Sequence, residues 1–485
     1  MAEPVKLRPK PRLRVISGAK ARSFEASMSD RLVGSWTQTP IPINTLLFQY
    51  LRGQRAKARE QSINNSYVKR YLHLMRTNVV GSTGIQFQAR SRDGKTLDTK
   101  ANDAIEAEFA RFCKREHIDF NKKLSLKGIC NQCVGSLATD GEFFLHKRYG
   151  ATAGEYSFSL QVIDPERVDL THNETLKSGN TVVMGVELNA SNTIVAYHFA
   201  EQVHQIYAAV QTTTNRIRIP VDDIIHVFIQ EYVGQLRGIP TLSTPLMDLK
   251  MLHAYKESAL VAARIGAAKG GFYTNTTEAT DFVGQQTDDG AFVDEVEPGR
   301  HQILPKGWKF DAYDPDYPHE QYGNFTTTSL RAIASGLNVS YSMLANDLTD
   351  VNYSSIRAGV LEDREHYKCW QDLLIVDLCG PIYDVFLQFA LLASKIKVND
   401  RPLPFSKVDK FSQCTWLGRR WEWVDPLKDY KAKKAQQEDF VMSRTEIIRD
   451  RGRDPEEVFA EIEQEQAMLK KLRVFNEEQP QVSSE

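Results

Sequence analysis

The sequence predicts an α+β chain, and three observations carry that reading. Apolar residues recur at helical spacing from about Ile43 onward. Between Glu142 and Ile229 the texture changes to short β-rich runs separated by turn signals. A long alanine-rich helical signal then opens near Thr244. Helices, then strands, then helices imply an antiparallel β domain set on a helical base.

The chain has 485 residues, with 41% hydrophobic and 25% charged residues. At about 150 residues per domain, three domains are expected. That composition is ordinary for a globular protein. It argues against wholesale disorder, collagen-like repeats and a membrane-embedded body. The apolar stretch closest to membrane length, Leu373–Leu392, is interrupted by Asp377, Pro381 and Asp384, and is expected to be a buried helix pair. The six cysteines are few and the N-terminus shows no apolar leader, so free thiols and a reducing site of synthesis are expected.

A net charge of -1 conceals strong segregation. Met1–Arg22 holds seven basic residues against Glu3 alone, and Arg52–Arg76 holds seven against Glu60 alone. Glu278–Glu297 holds seven acids and no Lys or Arg, and Asp454–Glu485 nine acids against three basic residues. Such blocks suggest different partners at different ends of the molecule, although each is also compatible with a solvated face.

In order along the chain, residues 1–40 are expected to be a basic flexible arm, rich in proline and poor in periodicity. Leu46, Leu47, Tyr50 and Leu51 begin a helix that Tyr67, Tyr71, Leu74 and Val79 continue, and Gly81 and Gly84 end it. Thr99–Cys113 and Leu124–Leu137 read as two further helices, followed by an Asp140-Gly141 turn. The expected strands are Phe143–Lys147, Ser157–Ile163, Val182–Leu188, Ile194–Phe199, Gln205–Val210 and Ile224–Ile229. Thr244-Pro245 suits a helix start, with Thr244 as N-cap, and the helix runs to about Ala268 before Gly270-Gly271 stops it. Short strands are expected at Gly271–Thr274, Ala291–Val296, His301–Pro305 and Trp308–Phe310. Phe325–Leu337 is the returning helix, so the layout is a stalk with a small tip. The longest helix starts at about Asn352, and Pro381 breaks or kinks it. Residues 400–425 read as irregular. Two charged helices, Pro426–Met442 and Ser443–Leu472, follow, the second with a capping box at Ser443 and Glu446. The tail from 476 to 485 is expected to be disordered.

Signatures of catalysis were sought and not found. There is no Walker-type loop, H-E-x-x-H, G-x-S-x-G or G-x-G-x-x-G. Gly81-Ser82-Thr83-Gly84 suits a phosphate but lacks the lysine, and reads as a turn. Cys130-x-x-Cys133 has no second pair to complete a zinc site, and Cys113, His117 and His146 are spaced for no zinc motif. The pair reads as buried structural cysteines, with a metal- or thiol-dependent enzyme as a minor alternative. No metal, no cofactor and no catalytic residue are expected. The charge blocks and the stalk layout favour an assembly protein.

Four stretches, in order, carry a resemblance. They are "NVVGSTG" at Asn78–Gly84 and "GQLRGIP" at Gly234–Pro240, then "LRAIASGLNVSYSMLANDLTDVNYSSIRAGVL" at Leu330–Leu361, and "WEWVDPLKDYKA" at Trp421–Ala432 followed by "RGRDPEEVFAEIEQE". The chain resembles the portal proteins of tailed bacteriophages, of the lambda type, from about residue 20 to 467. The resemblance implies a ring, typically of twelve copies, at one capsid vertex of the virion, made in the host bacterial cytoplasm. Double-stranded DNA would pass through its channel, without sequence preference, in packaging and ejection. Partners would be the terminase large subunit, the head–tail adaptor and the major capsid protein or scaffold, with no membrane. The implied parts are a wing (41–243), a stem helix (244–270), a clip (271–315), a returning stem helix (316–337) and a tunnel-loop region (338–355). A long helix and wing return (356–425) and C-terminal helices of a crown or outer part (426–475) complete them.

On that mapping Asn346, Asp347, Leu348, Thr349, Asp350, Val351, Asn352 and Tyr353 would narrow the channel. Asp288, Asp289, Asp294, Glu295 and Glu297 would form the docking face of the clip. Arg12, Arg14, Arg52, Arg55, Lys57 and Arg59 are the candidate contacts to DNA or the inner capsid shell. A second reading makes the chain a DNA-binding accessory protein that uses its basic N-terminal region.

Overall fold

Helix α1 (Ile43–Asn64) is the first element of the computed structural model. The model describes residues 39–201, 215–267, 271–275, 285–286, 292–293, 307–312, 322–349, 353–421, 426–450, 453 and 455–472. What the sequence suggests as one helix to Val79 is two. Asn65 sits in an extended conformation and its side chain accepts from the backbone N–H groups of Tyr67 and Val68, capping α2 (Ser66–Met75). A π-helical turn, Arg76–Val80, follows α2, and Gly81 ends it at φ +77°.

Helix α3 (Thr99–Phe112), the short α4 (Arg115–Ile118) and α5 (Leu126–Thr139) come next. Asp98 and Ser125 cap α3 and α5 through their side chains. The chain then enters two antiparallel sheets. In the first, strand Glu142–Tyr149 lies between Ile224–Phe228 and Phe158–Ile163. In the second, the order is Arg216–Pro220, Ile194–Ala200, Val186–Leu188, Thr181–Val183, Glu174–Thr175. The expected strand Val182–Leu188 is therefore a hairpin. Met184 and Gly185, at φ +52° and +78°, turn the chain between Val183 and Val186. The expected strand Gln205–Val210 lies outside the described residues.

Helix α6 (Leu246–Ala267) and helix α7 (Tyr322–Gly336) form an antiparallel pair. Tyr255 stacks near Tyr322 and Phe325, with ring centroids 5.7 and 4.9 Å away. At the other end, Gly336 faces Thr244 and Pro245. Thr244 is already helical, at φ -61° and ψ -54°, behind a 3-10 turn at Thr241–Ser243. It therefore lacks the extended backbone of an N-cap, contrary to expectation. Strands Gly271–Asn275 and Trp308–Ala312 pair antiparallel beyond the two helices. Gln285–Gln286 pairs with Phe292–Val293. The expected strand His301–Pro305 lies outside the described residues.

After α8 (Tyr341–Ala345), helix α9 (Tyr353–Leu374) passes through a second π-helical turn, Ile375–Cys379, into α10 (Gly380–Leu392). Pro381 lacks an N–H, and its ring crowds the carbonyl one turn back. The wider π turn absorbs that conflict without ending the rod. By length and composition alone Gly359–Leu392 is apolar enough to cross a membrane. Its side chains at Leu374, Leu378, Ile382, Tyr383, Phe386 and Leu387 are fully buried in the main core.

That core joins α2, α3, α5, α9 and α10 to the inner face of the three-stranded sheet. Phe109 meets Tyr383 edge-on at 5.3 Å and Phe112 stacks on Phe158 at 5.7 Å. Residues 400–421 contain more regular structure than expected. Helix α11 (Val408–Phe411) leads into strand Cys414–Leu417, which pairs with Gln86–Ala89. Three helices close the chain: α12 (Pro426–Glu438), α13 (Arg444–Asp450) and α14 (Pro455–Leu472). Ser443 caps α13 through the N–H of Glu446 as expected, but Pro455 opens α14 as a separate helix.

Candidate functional site

A buried cluster of charge holds the segment that leads into α6. Its centre is Glu142, at the start of the middle strand, with no solvent exposure. Arg237 donates from Nε and Nη2 to both carboxylate oxygens of Glu142, at 2.5–3.0 Å. Arg55 on α1 donates to the same carboxylate from Nη2 at 2.6 Å and to the Asp140 carbonyl from Nε at 2.8 Å. The Gly238 N–H donates to Glu142 at 3.0 Å. His226 Nε2 completes the shell at 3.1 Å, while Tyr197 lies 3.2 Å from its Nδ1.

Burial would raise the Glu142 pKa, but Arg237 and Arg55 outweigh it and hold the carboxyl well below its ordinary range. Burial lowers the His226 pKa, so the ring is neutral. A neutral ring donates from Nε2 to Glu142 and accepts from Tyr197 at Nδ1.

Backbone geometry explains why this cluster contains glycine. A Cβ on Gly238 would lie 1.9 Å from the Gly141 carbonyl oxygen, and one on Gly141 2.4 Å from the Ile239 carbonyl carbon. Gly141 also has φ +83°. Two chain segments thus cross at backbone contact. "GQLRGIP" is accordingly a structural device. Arg237 holds the sheet, Gly238 allows the crossing, and the segment leads directly into α6. Gln235 braces the loop through its own amide, accepting from the N–H groups of Glu231 and Tyr232 and donating to the Arg237 carbonyl. The periodicity and turn signals did not reveal this cluster. The Asp140-Gly141 turn was its local trace.

The basic residues of α1 divide. Arg55, 1% exposed, is taken up by Glu142 and Glu166. The expected DNA or capsid contact is corrected for this residue, because its guanidinium is inside the protein. Arg59 is bound to Asp140 and Asp164. Arg52 and Lys57 are exposed. Arg12 and Arg14 lie outside the described residues, as do Asp288, Asp289, Asp294, Glu295 and Glu297.

The segment before α9 is tied to α9 at its start and hydrogen-bonded within itself around Asp347. Ser340 donates to Asp363 on α9 through its N–H and its hydroxyl, at 2.9 and 2.6 Å. Asn346 turns the chain at φ +55° and ψ 40°. Asp347 accepts from the Tyr341 hydroxyl and from the Thr349 N–H and hydroxyl. Those bonds, the Thr349 hydroxyl first, lower its pKa. Leu348 is 61% exposed between them. Tyr353 begins α9, and Asp350, Val351 and Asn352 lie outside the described residues.

Helix α6 buries Leu246, Leu249, Leu252 and Ala259. Met247, Met251, Ala254, Ser258 and Val261 occupy the opposite face and are exposed, Met247 and Met251 at 69% and 63%. This is an apolar stripe without a partner among the described residues.

The cysteines draw together in space. Cys130 Sγ on α5 lies 4.0 Å from Cys379 Sγ, with Cys113 and Cys133 close enough to raise the Cys379 pKa. Burial pushes the thiols of Cys113 and Cys133 up. For Cys379 the contact with Cys130 does so first and burial second. Protonated thiols are poor nucleophiles and poor metal ligands. No group of three His, Cys, Asp or Glu suited to a metal ion occurs among the described residues.

Comparison with known proteins accords with the architecture. The family model described as phage portal protein, lambda family, matches residues 29–371. A probable portal protein of Halomonas phage phiHAP-1 is 31% identical over 472 residues, covering 94% of this chain and 88% of the relative. Portal protein B of Escherichia phage lambda is 22% identical, covering 88% and 86%. Among solved structures, the neck of an empty gene transfer agent (GTA) particle aligns with 14% identity and a TM-score of 0.44, covering 87% of this chain and 97% of that one. With a family match over most of its length and a relative aligned nearly end to end, the chain belongs to the lambda family of phage portal proteins.

Proposed function

We propose that the protein assembles into a closed ring at one vertex of a phage capsid, and that double-stranded DNA passes through its central channel during packaging and ejection. The observation that carries this reading is the α6/α7 pair. Helix α6 is about 33 Å long at 1.5 Å per residue. The Glu142 cluster holds the segment that leads into it, and α6 shows an apolar stripe on the face turned away from the described residues. A single copy leaves that stripe in water, whereas neighbouring copies in a ring would cover it.

In this reading α6 and α7 form the stem and residues 271–315 the clip. Asp288, Asp289, Asp294, Glu295 and Glu297 on the clip dock basic surfaces of the terminase motor and later the head–tail adaptor. The segment Asn346–Tyr353 narrows the channel. The Asp347 hydrogen bonds to Tyr341 and Thr349 flank Leu348, which would face the passing DNA as an apolar contact that does not grip phosphates. Pumping energy comes from the motor.

Native mass by light scattering, with electron-microscope images of the same sample, tests the ring. Twelve copies of 55.1 kDa would give about 660 kDa with a central hole. A stable monomer in the presence of scaffold and capsid protein would overturn the reading. Neutralising the five clip acids tests docking. Unchanged motor affinity would remove that assignment.

A further inference from the structure

The loop Gly81-Ser82-Thr83-Gly84 lacks a lysine in sequence, but the fold supplies one. Lys127, exposed on the first turn of α5, donates from Nζ to the Ser82 carbonyl at 2.6 Å. Its aliphatic stem packs on Gly84, where an added Cβ would sit 3.4 Å from the Lys127 Cβ. Lys127 also lines a groove of about 600 Å³. Lys127, Asn131 and Gly135 are spaced i, i+4, i+8 on α5, so they share one helix face.

Arg76 lies across that face. A Cβ on Gly135 would come within 2.4 Å of its Nη2, so the guanidinium is seated directly on the glycine. It makes no hydrogen bond or ion pair with the described residues, and it is exposed. Thr77, Ser82 and Gln132 complete the polar lining, and among the described residues no carboxylate lines the groove. Arg419 closes the far side of Gly81, its stem against the glycine and its Nη1 donating to the carbonyl of Thr77 and the side chain of Asn78.

We infer that this groove is an oxyanion site that binds a phosphate group through Arg76 and Lys127, with Asn131 and Gln132 as neutral donors. A guanidinium without an ionic partner beside an ammonium with spare donors, in a groove whose described lining is free of acids, suits a phosphate. The phosphate belongs either to a DNA backbone or to a free phosphate. The DNA source rests on the conduit reading above, whereas the site itself does not.

The test uses the full-length protein with two probes, a labelled 30-base-pair duplex followed by anisotropy and inorganic phosphate followed by ³¹P line broadening. Lys127→Gln removes a charge. Gly135→Ala displaces the Arg76 guanidinium while leaving the charge unchanged. Lys100→Gln, an exposed lysine remote in sequence, is the control for net charge. Loss of duplex affinity by about tenfold in each groove variant but not in the control is expected. The slope of log affinity against log salt should fall by about one for Lys127→Gln.

Loss of phosphate broadening with unchanged duplex affinity would assign the site to free phosphate instead. Groove variants that match the control with both probes would overturn the inference. Variants that dissociate the ring without altering phosphate binding would also overturn it, since the groove would then be a contact between copies. Native mass in the same samples separates the two readings. A monomer that binds phosphate through the groove sinks the conduit alone, and a ring whose groove ignores phosphate sinks the site alone.

Discussion

The cluster around Glu142 and the outer face of α6 satisfy opposite requirements. Glu142 is surrounded by two arginines, a backbone N–H and a histidine, all within one chain. The α6 face exposes Met247 and Met251, with nothing opposite among the described residues. One region is finished when the chain folds; the other is finished only by something else. A subunit built to assemble needs both, because an apolar face is useful for docking only if its base does not move. Breaking the cluster should therefore act on folding, and breaking the face should act on assembly alone.

The largest effect on folding is expected from Arg237→Ala. It leaves Glu142 buried with only Arg55 as an ionic partner, and removal of one partner from a buried pair costs about 3–5 kcal/mol. Chemical denaturation should show a midpoint lowered accordingly, with ring assembly lost as a consequence. A midpoint unchanged within error would show that the cluster does not hold the base of α6.

Gly238→Ala is expected to come next. Its Cβ would meet the Gly141 carbonyl, which is backbone and has no rotamer to escape through. Overpacking of this kind costs about 1–3 kcal/mol. The same measurement on Gly53→Ala, where nothing lies within 4 Å, should show no loss.

Acid provides a milder perturbation of the same cluster. Burial first, with Arg237 and Arg55 adding to it, lowers the His226 pKa against the pull of Glu142. The unfolded chain accepts a proton near pH 6.5 that the folded chain refuses, so stability falls as the pH drops below about 6.5 toward the folded value. His146 and His366 are lowered by burial as well and act in the same direction. Glu142, whose pKa is depressed, contributes above its unfolded value and loses that contribution only in stronger acid, as the pH falls through its folded value. Thermal melts across this range should show a decline beginning near pH 6.5. His226→Gln should make the decline shallower, and an unchanged slope would remove His226 from the account.

How much of this was legible depended on sequence separation. The helical pair was readable because its signals are local: apolar spacing, alanine content and flanking glycines. The hairpin at Met184-Gly185 was missed because Gly185 stands alone in an apolar run beside Met184, a residue that rarely adopts the positive φ it has here. Strand Cys414–Leu417 was missed because its partner, Gln86–Ala89, is far away in the chain. The Glu142 cluster was invisible for the same reason. Arg55, Glu142 and Arg237 each sit in a different element, and a basic helix face gives no sign that one of its arginines points inward. The Gly81–Gly84 loop repeats the lesson, since its lysine arrives from α5.

The smallest effect on folding is expected where the effect on assembly is greatest. Met247→Asp with Met251→Asp places two charges on a face already in water, so the single chain should unfold within about 0.5 kcal/mol of its normal stability. In a ring each of those side chains would be removed from water, at about 1.5–3 kcal/mol apiece. A charge in its place would add a desolvation cost with no partner to offset it. Because the same face recurs at every contact of a closed ring, the loss is repeated around the circle. Native mass should therefore fall to that of a single chain while the unfolding midpoint stays in place. Persistent rings would show that α6 meets its neighbours through another face. A lowered midpoint would show that the stripe is already packed within its own chain, and the division between a finished base and an unfinished face would then be wrong.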